Sequence, residues 1–275
     1  MTDTLTPAPA PAPASRPARL KVTPLRVAWS EWTKFRSLRS TVYTLVAAVT
    51  LMIGMGALFT AITVHESAGL GPGQSAVSTS LTGTFFAQLA IGVLGVLLIT
   101  GEYSTGMIRS SLTVVPRRMP MLWAKIAVFT VVVLLAMLTA SVTAFIVGQA
   151  ILGRHGLHSS LTDPDVARSV IGAALYVTVA GMTALALGAL LRNTAAAITT
   201  FVAVFFVIPP LTLLLPASWT EHFVPYLPSS IGAVLTGGTT LAAHPLPPWV
   251  GFALLCGYAA VLIGLAGRRL HRADA

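Results

Sequence analysis

Hydrophobic residues are not interleaved with polar ones along most of this chain; they run in blocks. Six blocks reach the roughly 20 apolar residues that a helix needs to cross a hydrocarbon core: about 41–62, 81–100, 126–152, 168–191, 194–215 and 248–267. The third exceeds the minimum and has length to spare for tilt. Only Arg192 and Asn193 separate the fourth from the fifth. Read as one helix, that pair would be about 70 Å long at 1.5 Å per residue, far beyond any bilayer, so it predicts a tight helical hairpin. The expected fold is all-α: a polytopic membrane bundle of about six transmembrane helices.

Composition agrees. Of 275 residues, 55% are hydrophobic and 9% charged, against roughly 25% charged in an ordinary soluble domain. Charge this sparse cannot solvate a globular surface. The single cysteine, Cys256, lies in an apolar run and excludes an internal disulfide or a CxxC metal site. No histidine or acid spacing suggests a metal centre or a catalytic group, and no GxxxxGK[ST] loop is present to hold nucleotide phosphates.

The net charge of +9 has a simpler source than nucleic acid. If both termini are cytoplasmic and the spans alternate, 15 of the 17 Lys and Arg residues fall on the cytoplasmic side and only Arg154 and Arg168 outside. That asymmetry is the positive-inside signal, and an odd number of spans would break it. The expected organisation is a Pro/Ala-rich disordered cytoplasmic tail over 1–24, a transmembrane domain over 25–270 and a cytoplasmic tail over 271–275.

Three segments outside the spans stand out. Leu25 to Arg39 places Leu25, Ala28, Trp29, Trp32 and Phe35 on one face at 100° per residue, with Arg26, Ser30, Thr33 and Lys34 away from it. Two readings stand: an amphipathic helix in the cytoplasmic interface, tryptophans toward the acyl chains, or an inward extension of the first span. The loop from Gly101 to Pro120 is the only sizeable cytoplasmic one. Glu102 sits at the exit of the second span, Gly106 breaks the helix, Met107 to Val115 suits a short helix, and Pro116 with Arg117 and Arg118 closes it. A short helix held between two spans passes motion to both; the alternative is a solvated loop whose arginines only fix orientation. The Pro- and Gly-rich stretch after the fifth span, from Pro209 and Pro210 to Gly238, suits a re-entrant or interfacial segment over 221–243, where non-helical backbone must be buried in protein or face water.

Charged residues are nearly absent inside the spans, which argues against ion-driven transport. Gln88 and Gln149 are the most polar side chains there, and Thr139, Ser141, Thr143, Thr178 and Thr183 suit helix packing rather than ligand binding. With no Ser/His/Asp set and no nucleotide loop, energy for any work must come from a partner.

Together these features resemble the membrane subunit of a bacterial ABC-2 type ATP-binding cassette transporter. The residues that carry the resemblance are Ser30-Glu31-Trp32-Thr33-Lys34 before the first span, Gly101-Glu102-Tyr103 to Gly106 with Pro116-Arg117-Arg118 and Lys125 after the second, Leu190-Leu191-Arg192-Asn193, and Tyr226-Leu227-Pro228. The similarity covers about 25–270, and the terse outer loops differ from family members with large external domains. The resemblance implies two permease chains, as a homodimer or heterodimer, and two ATP-binding subunits that hold the ATP and magnesium; this chain itself carries no cofactor. It also implies residence in the plasma membrane, with export as the direction of transport. A connecting helix would include Trp29, Glu31, Trp32, Lys34 and Phe35. A coupling loop would include Glu102, Tyr103, Gly106, Met107, Arg109, Pro116, Arg117 and Arg118, with Glu102, beside arginines, latching it to the connecting helix or to the ATPase. The competing readings are a membrane anchoring or immunity module that transports nothing, and a stand-alone carrier. Few-hydroxyl apolar walls favour amphipathic cargo.

Overall fold

A computed structural model describes residues 24–65, 75–104, 118–157, 159–163, 165–240 and 242–272. Among them every regular element is helical. Helix α1 (Pro24–Ser37) precedes α2 (Arg39–His65), a one-turn α3 (Ala76–Ser80), α4 (Thr84–Ser104), α5 (Arg118–Gly153), α6 (Val166–Leu191), α7 (Thr194–Leu214), α8 (Ala217–Phe223), α9 (Pro228–Leu235) and α10 (Pro248–Arg272). Six of these, α2, α4, α5, α6, α7 and α10, are long and apolar enough to cross a membrane. They coincide with the six apolar blocks. Residues 1–23, which hold nearly all of the expected tail, and 105–117, the middle of the expected coupling segment Gly101 to Pro120, lie outside the described residues.

Helix α6 forms the axis of the bundle. In its most apolar stretch 83% of residues are buried, against 22% in α2 and in α7. A helix that is apolar all round belongs inside, and α6 meets that condition with small residues. Ala173, Ala174, Ala180, Ala184 and Ala186 are fully or almost fully buried. A β-carbon on Gly95 of α4 would stand 2.5 Å from the carbonyl oxygen of Gly181, so α4 and α6 touch backbone to backbone. Where lipid tails are as apolar as leucine, such close packing is the main attraction between helices.

Helix α2 lies at the periphery. It buries the stripe Thr41, Ala48, Met52, Gly56 and Thr60 against its neighbours, while Val42, Tyr43, Val46, Leu51, Leu58, Phe59 and Ile62 stay exposed as a lipid-ready face. The span hydroxyls stay within their own helices: Thr139, Ser141, Thr143, Thr178 and Thr183 each donate to a carbonyl three or four residues earlier. Gln149 donates to the Ala76 carbonyl and to Ser80 Oγ and accepts from the Ser159 amide, fixing α3 and the connection that follows α5 to α5 itself. Gln88 is likewise internal, hydrogen-bonded to the buried Tyr176 hydroxyl.

Two findings refine the reading around the fifth span. Pro209 and Pro210 do not follow α7 but sit inside it, just after a turn of π-helix over Ala203–Val207. Proline has no amide hydrogen to donate, and the ladder adapts upstream, the Ile208 amide reaching back to Ala203. The segment after α7 is ordered as α8, a 3₁₀ turn at Val224–Tyr226, and α9. Helix α9 packs on α6 and α10 and buries Ile231, Gly232 and Leu235. A β-carbon on Gly232 would stand 2.3 Å from the Tyr176 ring. Arg168 closes the far end, donating to the carbonyls of Val234 and Leu235 at 3.2 and 3.5 Å before the left-handed turn at Gly237. Helix α9 and the turn before it are thus largely covered by protein, as non-helical backbone at depth requires, whereas 221–223 of α8 is exposed.

Candidate coupling site at the basic end of the bundle

Three helices converge at the end where α4 leaves and α5 enters: α1, the last turn of α4 and the first turns of α5. Helix α1 begins with Pro24 at a first-turn position, where a missing amide costs nothing, and runs without glycine or a further proline to Ser37. It turns Val27, Glu31 and Phe35 into the bundle, at spacing i, i+4, i+8. The expected stripe is therefore divided. Trp29 is 71% exposed and Trp32 39%, in keeping with a lipid-facing side, but Phe35 is buried and the charged Glu31 is carried inward with it.

An isolated carboxylate there would be costly; it is not isolated. Lys125 Nζ lies 2.7 Å from Glu31 Oε2 and 2.8 Å from Glu102 Oε1. Lys34 Nζ lies 2.8 Å from Glu31 Oε1 and 3.6 Å from Glu102 Oε1. Each carboxylate thus meets both ammonium groups, and the four charges sum to zero in a closed ring. Glu31 and Lys125 are almost fully buried, Glu102 nearly so, and only Lys34 keeps a third of its side chain exposed. Burial alone would raise the Glu31 carboxyl; Lys125 and Lys34 outweigh it and hold that carboxyl below the ordinary range. Burial likewise pulls the Lys34 ammonium down, and Glu31 with Glu102 outweighs that and raises it. Both groups outside the spans are therefore held charged.

The cluster sits where α4 ends and α5 begins, on either side of residues 105–117. Glu102 lies one turn before that segment and Lys125 two turns after it, so a single ion network joins both of its stems to α1. Among the described residues Glu102 meets two lysines; Arg109 and Arg117, expected beside it, lie outside the described residues. Gly106, Met107, Arg109, Pro116 and Arg117 lie outside the described residues; Arg118 opens α5. Tyr103 is engaged separately. The Arg192 guanidinium stands 5.5 Å from its ring centroid, a cation–π distance that links the α6–α7 hairpin to the same stem. Arg192 closes α6 in the left-handed conformation, φ 55°, and Arg269 of α10 donates to the Leu190 carbonyl beside it. All these contacts share one end of the bundle.

Lys125 is the residue that sequence reasoning quoted without giving it a role. Its signal was present: a lone cation in an apolar run, on the basic side of the bundle, where Glu31 and Glu102 are the only acids outside the terminal tails. Among the described residues no His, Cys, Asp or Glu group is arranged to hold a metal ion.

A family model described as ABC-2 family transporter protein matches residues 27–210. The chain belongs to the ABC-2 family. No curated protein matches it. The matched stretch runs from α1 into α7 and contains every member of the ion network. This chain is accordingly a multi-pass membrane protein, a permease subunit of an ABC transporter, and permeases of this family are membrane subunits rather than ATPases.

Proposed function

We propose that this ABC-2 permease works as an exporter, driven by a separate ATP-binding subunit that docks on the loop over 105–117. The observation that carries this reading is the neutral ring of Glu31, Lys34, Glu102 and Lys125 at the base of that loop. The basic end faces the cytoplasm by the positive-inside rule, where a nucleotide-hydrolysing partner resides, and the membrane is the plasma membrane of a bacterial cell. Two permease chains assemble with two ATP-binding subunits, which hold ATP and magnesium.

In this account closure of the ATP-binding pair pushes the loop, and the stems of the loop are α4 and α5. Breaking one partner out of a buried ion pair costs about 3–5 kcal/mol, several times thermal energy, so α1 moves with those stems as one body. Met107, Arg109, Pro116, Arg117 and Arg118 form the docking surface; Glu31, Lys34, Glu102 and Lys125 transmit its displacement; Trp29 and Trp32 keep α1 at the lipid interface. The displacement reaches α6 through its backbone contact with α4 and opens the interface between the two permeases outward. Apolar walls favour an amphipathic cargo.

The test is Glu102→Gln in the assembled transporter. It keeps the shape and removes the charge that meets both lysines. The expected result is normal membrane insertion with transport-linked ATP hydrolysis reduced about tenfold or more, the scale of one lost charge-assisted contact. Hydrolysis stimulated to the wild-type level in that variant would overturn the coupling role of the ring.

A further inference from the structure

A cavity of about 490 Å³ opens beside the ion ring, between α1, the start of α2, and α4. Its size lies in the range of ligand pockets. Its chemistry is divided. One wall is aliphatic, with Leu94, Leu97 and Leu98 of α4; the exposed Ser40 and the buried Thr41 bring hydroxyls to it from the first turn of α2. All four members of the ring, Glu31, Lys34, Glu102 and Lys125, line the cavity. Although the ring is neutral overall, what a ligand meets is positive: Lys34 is 33% exposed, whereas the Glu31 and Glu102 side chains are 4% and 11% exposed. Arg36 and Arg39, both exposed, flank the break at Leu38 between α1 and α2, and the partial positive charge of the α2 N-terminus adds to them. An apolar wall in line with an exposed lipid-facing helix, under a basic and hydroxylated mouth, matches an anionic phosphate attached to acyl chains.

We infer that this cavity binds one phospholipid of the leaflet at this end of the bundle. Its headgroup phosphate sits at Lys34, Ser40 and Thr41, and the upper part of an acyl chain lies along Leu94, Leu97 and Leu98. The inference concerns lipid binding and holds whether or not the chain exports anything.

The experiment is native mass spectrometry of the purified chain in mild detergent after incubation with phosphatidylglycerol or phosphatidylcholine. Wild type is expected to retain one phosphatidylglycerol in preference to phosphatidylcholine, and excess inorganic phosphate leaves it bound. Leu97→Trp fills the cavity from its half-exposed rim and is expected to lower retention about tenfold. Leu89→Trp, on the same helix and similarly exposed but away from the cavity, retains lipid as wild type does. Ser40→Asp keeps a residue suited to a helix start while placing negative charge at the mouth; it lowers phosphatidylglycerol retention and serves if the tryptophan variant misfolds. Equal retention in Leu97→Trp and Leu89→Trp, indifference to Ser40→Asp, or displacement by inorganic phosphate would each overturn the site.

Discussion

Removing Lys125 tests whether the four charges act as a closed ring. In Lys125→Met the side-chain volume is nearly kept, but Glu31 and Glu102 are left to share Lys34, and the site carries a net negative charge. Leaving a buried charge uncompensated costs about 3–5 kcal/mol. A second argument limits the figure. The site escapes by protonating one carboxyl, and moving a glutamate of ordinary pKa about 4.3 to its neutral form at pH 7 costs about 1.36 kcal/mol per unit, or roughly 3.7 kcal/mol. The destabilisation at pH 7 is thus at most about 3.7 kcal/mol. The folded variant then binds a proton that the unfolded chain does not, so its stability falls as pH rises and recovers by about 1.4 kcal/mol per unit as pH is lowered toward 4.3. The double variant Lys125→Met, Glu102→Gln restores neutrality through the 2.8 Å pair of Glu31 and Lys34 and is expected to lose the pH slope and regain much of the stability. Thermal unfolding in detergent, followed by tryptophan fluorescence, reads both effects. A change of about 3 kcal/mol corresponds to roughly 6–12 °C for a chain of this size. A single variant with no pH slope between 5 and 8, or a double variant less stable than the single, would refute the ring.

In the wild-type chain the sign of the pH dependence follows from the two shifted groups. The lowered Glu31 pKa contributes stability that is present above the ordinary glutamate value and lost as pH falls through the lower folded value; the raised Lys34 pKa contributes stability that is present below the ordinary lysine value and lost above its folded value. A plateau between these limits is expected in the same unfolding assay, and a midpoint near pH 7 would contradict it. Gly95→Ala forces a β-carbon to 2.5 Å from the Gly181 carbonyl and should cost about 1–3 kcal/mol by overpacking, whereas Gly257→Ala, whose β-carbon meets nothing within 4 Å, should be neutral or stabilising; equal melting shifts would contradict the close α4–α6 contact. Arg168→Ala uncovers two carbonyls at the end of α9 and should raise hydrogen exchange over 228–238 with little change in α4; unchanged exchange would show that the arginine does not hold the segment.

The six spans were legible because a bilayer demands about 20 apolar residues in a row and that demand is local. The ion ring was not, because Lys125 is 94 and 23 residues from its partners Glu31 and Glu102, and local periodicity reaches only the i,i+3 pair of Glu31 and Lys34. Hydropathy also ends a span at its first charge. Helix α4 continues through Glu102 to Ser104 and α5 starts at Arg118, two turns before Lys125, so Glu102 and Lys125, expected at span ends, both lie within helices, and they persist there because each neutralises the other. On α1 the tryptophans were expected toward lipid, and Trp29 and Trp32 are exposed; what periodicity did not give is the protein-facing side, where Phe35 turns inward and Glu31 goes with it. The paired glycines of α4 and α6 were visible as composition only, since close approach depends on both helices at once. Pro209 and Pro210 suggested a break where the chain accommodates them with one wider turn.

The central claim is that this permease is driven through the loop whose stems the ion ring joins. The most direct measurement is affinity purification of the tagged chain from its native membrane in mild detergent, with its companions identified and counted. The account predicts an ATP-binding subunit in stoichiometric amount, retained by the wild-type chain and lost when Met107 to Arg118 is replaced by a Gly-Ser linker of equal length. Recovery of the chain alone across several mild detergents, or an ATP-binding subunit that stays bound to the linker variant, would contradict it.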